Sequence, residues 1–350
     1  MNKAFSSSFT VKFIALAGCF FSAQTEASAP TGTTQAVVAA TQLKGATKIN
    51  FLKNIDVAAQ TGATLITFTY YNSITQELSN RSVYVTVPQG FATAAKGSCP
   101  VYFYFHGTAP TNLPINAAES SCSSNVGSGC VCIVPLGSQL INSDGSTVYS
   151  WCVNNSTEEN DLAFVKAVWK AIKNDPRLDL ERVYAAGHSV GSLFVSNELA
   201  AGARFLTGCC CYSSQLLVDT DIALAPSPIN VVTFHGAADN LIPANGGIAS
   251  FNEELNFTSA KATIESWSAH NNYTGSITTS AHSFNYTASR PGAVAQPITY
   301  TKYSSPDTNA IVAGYVFDTI KHDSISPVLQ LYGVATTAEV ALKVFGGGLL

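Results

Sequence analysis

The chain has 350 residues, 46% hydrophobic and only 11% charged, with 18 basic against 22 acidic side chains. That balance excludes a disordered or polyelectrolyte chain, and a formal charge of -4 gives nucleic acid or an anionic membrane no electrostatic handle. The length allows one large domain or two small ones, with enough apolar residues to bury a sizeable core.

At the amino terminus Lys3 and Lys12 precede the apolar run 13–21, and small residues follow at Ala27-Ser28-Ala29. This is a signal-peptide layout over residues 1–29, with a run too short to span a bilayer, and it predicts a secreted, extracellular protein. Leu16-Ala17-Gly18-Cys19 offers an alternative, a lipid anchor through Cys19. Sequons at Asn80, Asn154, Asn155, Asn256, Asn272 and Asn285 favour the eukaryotic secretory route and a glycoprotein. Beyond Cys19, eight cysteines remain, at 99, 122, 130, 132, 152, 209, 210 and 211. An even count in an exported chain predicts up to four disulfides in one of 105 pairings, with sulfurs of the 209–211 run reaching distant partners. No CxxC pair faces another CxxC or HxxxH, and Cys130-x-Cys132 alone is poor ligand spacing, so no zinc site is expected.

Residues 30–60, rich in Ala, Thr and Gln, read as a loosely ordered arm before a single domain at 61–350. Residues 64–70 and 81–87 alternate in polarity and predict an antiparallel pair at a sheet edge. Residues 101–105 and 130–135 are continuous apolar runs, the pattern of strands buried on both faces. Ser156 and Glu159 form a capping box before a helix whose apolar face is Leu162, Val165, Val168, Trp169 and Ile172, stopped by Asp175-Pro176. Strands are then expected at 183–186, 222–226, 231–235 and 310–317. A helix is expected over about 247–269, a polar stretch at 270–300 and a closing helix at 337–345. Alternating strands and helices predict an α/β fold, a doubly wound, mostly parallel sheet with helices on both faces.

The chemistry concentrates at Gly187-His188-Ser189-Val190-Gly191. A G-x-S-x-G turn between strand and helix puts a serine on a strained corner with a helix amino terminus behind it, and the glycines let the helix pack close. A serine hydroxyl needs a base to take its proton and a carboxylate to orient that base. In this architecture both follow later strands, acid first. Asp239 lies just past strand 231–235, whereas Asp219 and Asp221 precede a strand. His322 follows the last strand, flanked by Asp318 and Asp323 as rival acids, whereas His270 and His282 lie in polar segments. The oxyanion donors are expected to be the backbone N–H groups of Val190 and of Thr108, the latter in the loop after strand 101–105, which His106 would hold.

The stretches 100–107, 182–191 and 232–243, read with their spacing, resemble the polyhydroxybutyrate depolymerase and feruloyl esterase group of α/β-hydrolases, which includes acetyl xylan esterases. The resemblance spans roughly residues 80–345. It implies an α/β-hydrolase fold with Ser189, Asp239 and His322 as catalytic triad, Thr108 and Val190 as oxyanion hole, and no metal or cofactor. Trp151 resembles an aromatic that lines substrate clefts in such enzymes, with core packing as the alternative. Thr108-Ala109 departs from the group's usual Gly-Cys, and His322-Asp323-Ser324-Ile325 from its aromatic-proline pair; the second difference affects the rim near the histidine and hence the substrate. The expectation is a secreted, monomeric serine esterase acting on feruloyl or acetyl esters of plant cell-wall polysaccharide. The alternatives are a polyhydroxybutyrate depolymerase, a peptidase on the same scaffold, and a non-catalytic glycan-binding protein.

Overall fold

The computed structural model describes residues 40–41, 50–55, 63–72, 77–110, 129–141, 145–153, 161–288, 290–306 and 310–346. The signal-peptide segment, Cys19, Cys122, Asn154, Asn155 and the Ser156/Glu159 capping box lie outside them. In chain order the strands are β1 Ala40–Thr41, β2 Thr64–Asn72, β3 Glu77–Thr86, β4 Cys99–Phe105, β5 Ala109–Pro110, β6 Val131–Pro135, β7 Ser138–Ile141 and β8 Thr147–Ser150. They continue with β9 Leu178–His188, β10 Gly208–Tyr212, β11 Asn230–Gly236, β12 Gly247–Ala249, β13 Asn252–Phe257, β14 Thr278–Tyr286, β15 Gln296–Ser304 and β16 Val312–Phe317. The helices are α1 Asp161–Ile172, α2 Val190–Phe194, α3 Ala260–His270, α4 Ile325–Tyr332 and α5 Thr337–Phe345.

Eleven strands form one sheet in the order β1-β2-β3-β6-β4-β9-β10-β11-β16-β15-β14. The central run β6-β4-β9-β10-β11-β16 is parallel throughout. Every residue of β4, β6 and β10 is buried, as expected where helices cover both faces. Alternation assigns the two faces. Val101, Phe103, Phe105, Val183 and Ala185 meet Phe164, Val165, Val168 and Trp169 of α1. Tyr102, Tyr104, Tyr184 and Ala186 face the other way, toward Val328, Val340 and Val344 of α4 and α5. This is the α/β-hydrolase arrangement.

Several expectations need correction. The Cys209–Cys211 run is a central strand, not a junction of disulfides: Cys209 and Cys211 point to one face, Cys210 to the other, and all three are fully buried thiols. With Cys99 also a thiol, four of the eight cysteines drop out and at most two bridges remain; Cys132 is disulfide-bonded. The expected loose arm is packed at its end: Phe51 and Leu52, in a 3-10 turn capped by Asn50, are 0% and 1% exposed, and Asn50 Nδ2 donates to Asp175 at 2.7 Å. Residues 222–226 make turns instead of a strand. The expected helix over 247–269 divides into the β12-β13 pair and α3. The polar stretch 270–300 contains β14 and β15, an antiparallel hairpin that extends the sheet beyond β16. No single helix among the described residues is long and apolar enough to cross a membrane.

Candidate active site

The site sits at the carboxyl ends of β9, β10, β11 and β16. At the end of β9 the chain turns so sharply that Ser189 adopts φ 55° and ψ -123°, a strained conformation for a residue with a Cβ. Its N–H is anchored on the Tyr212 carbonyl, 2.9 Å away. The helix that follows starts at Val190 and passes through a π turn at Val195–Leu199. Gly191 is required there, because a Cβ on it would lie 2.2 Å from the Phe105 carbonyl oxygen and 2.3 Å from that of His106.

Asp239 sits in the turn after β11, where Leu241 and Ile242 N–H groups donate to its Oδ1 at 2.9 and 3.1 Å. The loop after β16 lies directly against this turn, with Ala237 and Ala238 amides donating to the Phe317 and Ile320 carbonyls. A Cβ on Gly236 would meet the Ile320 oxygen at 2.1 Å, so only glycine admits the loop so closely. His322 is thereby delivered between acid and serine. Its Nδ1–H donates to Asp239 Oδ2 at 2.7 Å, and its Nε2 accepts from the Ser189 hydroxyl at 2.8 Å. Both oxygen partners are buried, Ser189 4% and Asp239 6% exposed. Burial alone would raise the Asp239 carboxyl, but hydrogen bonds from His235 and His322 overturn that and hold it well below the usual carboxylate range. The acid is ionised whenever the imidazole needs orienting.

The rival groups are engaged elsewhere. Asp318 Oδ2 accepts from the Thr299 hydroxyl, Asp323 caps the start of α4 through Ser326, and Asp221 accepts from the Ala223 amide. His270 bonds the Pro226 carbonyl, and His282 stacks on Tyr300.

The loop 106–108 abuts the serine, since a Cβ on Gly107 would sit 3.3 Å from Ser189 Cβ. His106 organises this loop: its Nδ1–H donates to the Gly107 carbonyl at 2.6 Å while Nε2 accepts from the Gly137 N–H at 3.0 Å. Fixing the Gly107 carbonyl also fixes the opposed Thr108 N–H of the same planar peptide. The Thr108 hydroxyl pairs with Ser150 Oγ at 2.8 Å. Behind the loop, the buried Arg81–Asp161 pair (2.7 Å) grips the Leu136 carbonyl and the Ser138 hydroxyl. Trp151 is not in a substrate cleft. It is 2% exposed, stacked on Phe194 and edge-on to Phe105, with its indole N–H on the His106 carbonyl at 2.8 Å. It is core support beneath the loop, which corrects the expected substrate contact.

Three polar residues near the centre were not singled out from sequence. His235 Nε2 lies 2.8 Å from the Ile242 carbonyl and 3.3 Å from Asp239 Oδ2. His188 and Ser213 both reach the His322 carbonyl, each at 3.1 Å. The signal for His188 was its place inside the G-x-S-x-G turn; Ser213 had none beyond following an apolar run. Among the described residues no group of three or more His, Cys, Asp or Glu is placed to hold a metal ion.

Burial holds His106 down to about 4, and burial together with the neighbouring His322 imidazole does the same to His188. Both imidazoles are neutral in the fold but protonate near 6.5 when unfolded, so the unfolded chain binds more protons between those values. Stability should therefore fall as pH drops from about 6.5 to about 4, by on the order of 1 kcal/mol per pH unit for each group. Asp175, held at about 2 by Arg177 and Asn50 against the effect of burial, loses its contribution only at still lower pH. Thermal melts across this range test the expectation, and a melting temperature flat between about pH 7 and about pH 4.5 contradicts it.

The mostly parallel sheet, the helices on both faces and the serine on the β9–α2 turn define the fold as that of an α/β-hydrolase. No protein-family model matches the chain. Feruloyl esterase B of Piromyces equi is 24% identical over 201 residues, 56% of this chain and 36% of that enzyme. The chain thus spans about a third of the length of that curated relative. Among solved structures it is similar to an S-formylglutathione hydrolase from Agrobacterium tumefaciens (14% identity, 81% of this chain, 95% of that one, TM-score 0.46). It is also similar to the acetyl xylan esterase from Aspergillus awamori (12% identity, 77% and 98% covered, TM-score 0.46).

Proposed function

We propose that this protein is a secreted serine esterase that hydrolyses carboxylic esters through an acyl-serine intermediate, with feruloyl or acetyl esters of plant cell-wall polysaccharide as substrates. The carrying observation is the unbroken hydrogen-bond relay from Ser189 through His322 to Asp239. In this reading His322 Nε2 takes the hydroxyl proton as Ser189 Oγ attacks the acyl carbon, and Asp239 steadies the imidazolium. The N–H groups of Thr108 and Val190 hold the oxyanion. The imidazolium then gives its proton to the departing alcohol oxygen. A water molecule repeats the sequence, releasing the acid and restoring the serine hydroxyl. No cofactor enters this cycle.

Support for the acyl class comes from the likeness to feruloyl esterase B, and support for secretion from the amino-terminal layout of residues 1–29. Asn80, Asn256, Asn272 and Asn285 are all exposed, compatible with glycosylation on a secretory route. The test is turnover by the purified protein on methyl ferulate, acetylated xylan, polyhydroxybutyrate and an aminopeptide anilide side by side. Hydrolysis of the ferulate or acetyl ester, with fluorophosphonate labelling of Ser189, is expected. Turnover confined to the polyester would transfer the protein to the depolymerases, and turnover confined to the peptide would overturn the esterase reading.

A further inference from the structure

We propose that His188 and Ser213 are positioning residues that latch the main-chain carbonyl of His322, and through it set the distance between the imidazole and Ser189. The proposal rests on the reading of Ser189 and His322 as nucleophile and base.

The carbonyl of His322 receives two donors from two different strand ends. His188 Nε2–H approaches from the end of β9 at 3.1 Å, and the Ser213 hydroxyl from the residue after β10, also at 3.1 Å. The latch is carried further by Ser324: its N–H reaches Ser213 Oγ at 3.3 Å, and its hydroxyl lies 2.8 Å from the same oxygen. Residues 322 and 324 are thus held at two points of one turn. Ser213 and Ser324 are both 0% exposed, so these bonds have no competition from solvent.

The backbone of Ser213 gives an independent reason to assign it a role. Its φ is 56°, one of three positive values among non-glycine residues in the described chain. Glycine would occupy that conformation without strain. Strain at Ser189 is explained by the nucleophile turn; strain at Ser213 is not. What a serine supplies here and a glycine cannot is the hydroxyl on the His322 carbonyl. The two strained serines are neighbours in the sheet, since Tyr212 pairs with His188 and the Ser189 N–H bonds the Tyr212 carbonyl. Serine and base are therefore referred to the same pair of strand ends, with the His188 and His322 rings 5.4 Å apart.

The experiment compares Ser213→Gly, His188→Leu and His188→Gln with wild type on an activated aryl ester, with thermal melts on each. Ser213→Gly relieves backbone strain while removing the latch, so the fold should persist. We expect kcat to fall about 10- to 100-fold with KM within about twofold, the signature of a misplaced base and not of lost substrate binding. His188→Leu should show the same split, and His188→Gln, which retains a donor, should recover most of the loss. Wild-type kcat in both Ser213→Gly and His188→Leu would overturn the latch. A wild-type protein inert to esters and to fluorophosphonate would instead overturn the esterase reading. In that case amide exchange over residues 318–324 decides the latch: faster exchange in Ser213→Gly supports it, and unchanged exchange overturns it.

Discussion

Ser189→Ala should leave a folded protein whose turnover of an aryl ester falls by about 10⁶-fold, since removal of a triad serine elsewhere costs about that much. The side chain is 4% exposed and has one hydrogen-bond partner, His322 Nε2, so deleting one oxygen opens little space. The loss should reside in kcat, and fluorophosphonate labelling should vanish with it. Asp239→Asn is the informative companion. The amide cannot take the charge-assisted hydrogen bond from His322 Nδ1–H, so the imidazole adopts the wrong tautomer and kcat should drop about 10⁴-fold. Turnover by Ser189→Ala equal to wild type would remove the mechanism altogether.

Gly191→Ala should prevent the protein from accumulating in its native form. The added methyl would lie 2.2 Å from the Phe105 oxygen, 2.3 Å from the His106 oxygen and 2.6 Å from the Phe105 carbonyl carbon. None of these atoms has freedom to retreat, because Phe105 pairs with Gly187 in the central sheet and His106 is tied to Gly107 and Gly137. Any fraction that does fold must displace the loop bearing Thr108, with loss of the proposed oxyanion donor. Gly90→Ala is the contrast: its φ is 81° but nothing lies within 4 Å of the added Cβ. It should cost only the backbone strain, about 1–2 kcal/mol. Denaturation midpoints and soluble yield separate the two, and a Gly191→Ala protein with the wild-type midpoint would show that the helix can move away from β4.

The features legible in the sequence were those where local chemistry and long-range packing agree. Continuous apolar runs at β4 and β6 have the pattern of strands covered on both faces, and both are buried throughout. The glycines around Ser189 announce a turn where helix and strand nearly touch. Asp239 and His322, expected because each follows a strand in a fixed order, are brought together with Ser189. The misreadings have physical causes. Ile248, Phe251 and Leu255 fall at helical spacing, but they share no face: Ile248 is exposed, Phe251 lies between β12 and β13, and only Leu255 is buried. In β14, Phe284, Tyr286 and His282 share one face among serines and threonines, and all nine residues are exposed or half-buried, so hydrophobicity gives almost no strand signal. The cysteine run was read as bridging chemistry because count and export context suggest it, whereas buried thiols serve here as small apolar side chains. The latch on His322 runs through a main-chain carbonyl, an acceptor every residue carries, and leaves no trace in residue type.

One property of the relay reaches beyond catalysis. Its two hydrogen bonds join residues 133 and 83 positions apart, and between the acid and the base the chain makes a separate excursion through β12, β13, α3, β14 and β15 before β16 docks beside β11. No fragment can hold the serine–imidazole–carboxylate line in miniature, because closing such distant contacts requires the strands between them to be aligned first. On the proposed reading, catalytic competence therefore waits until β11 and β16 stand side by side. For the secreted esterase proposed above, hydrolytic power would then belong to the assembled sheet and not to any piece of it.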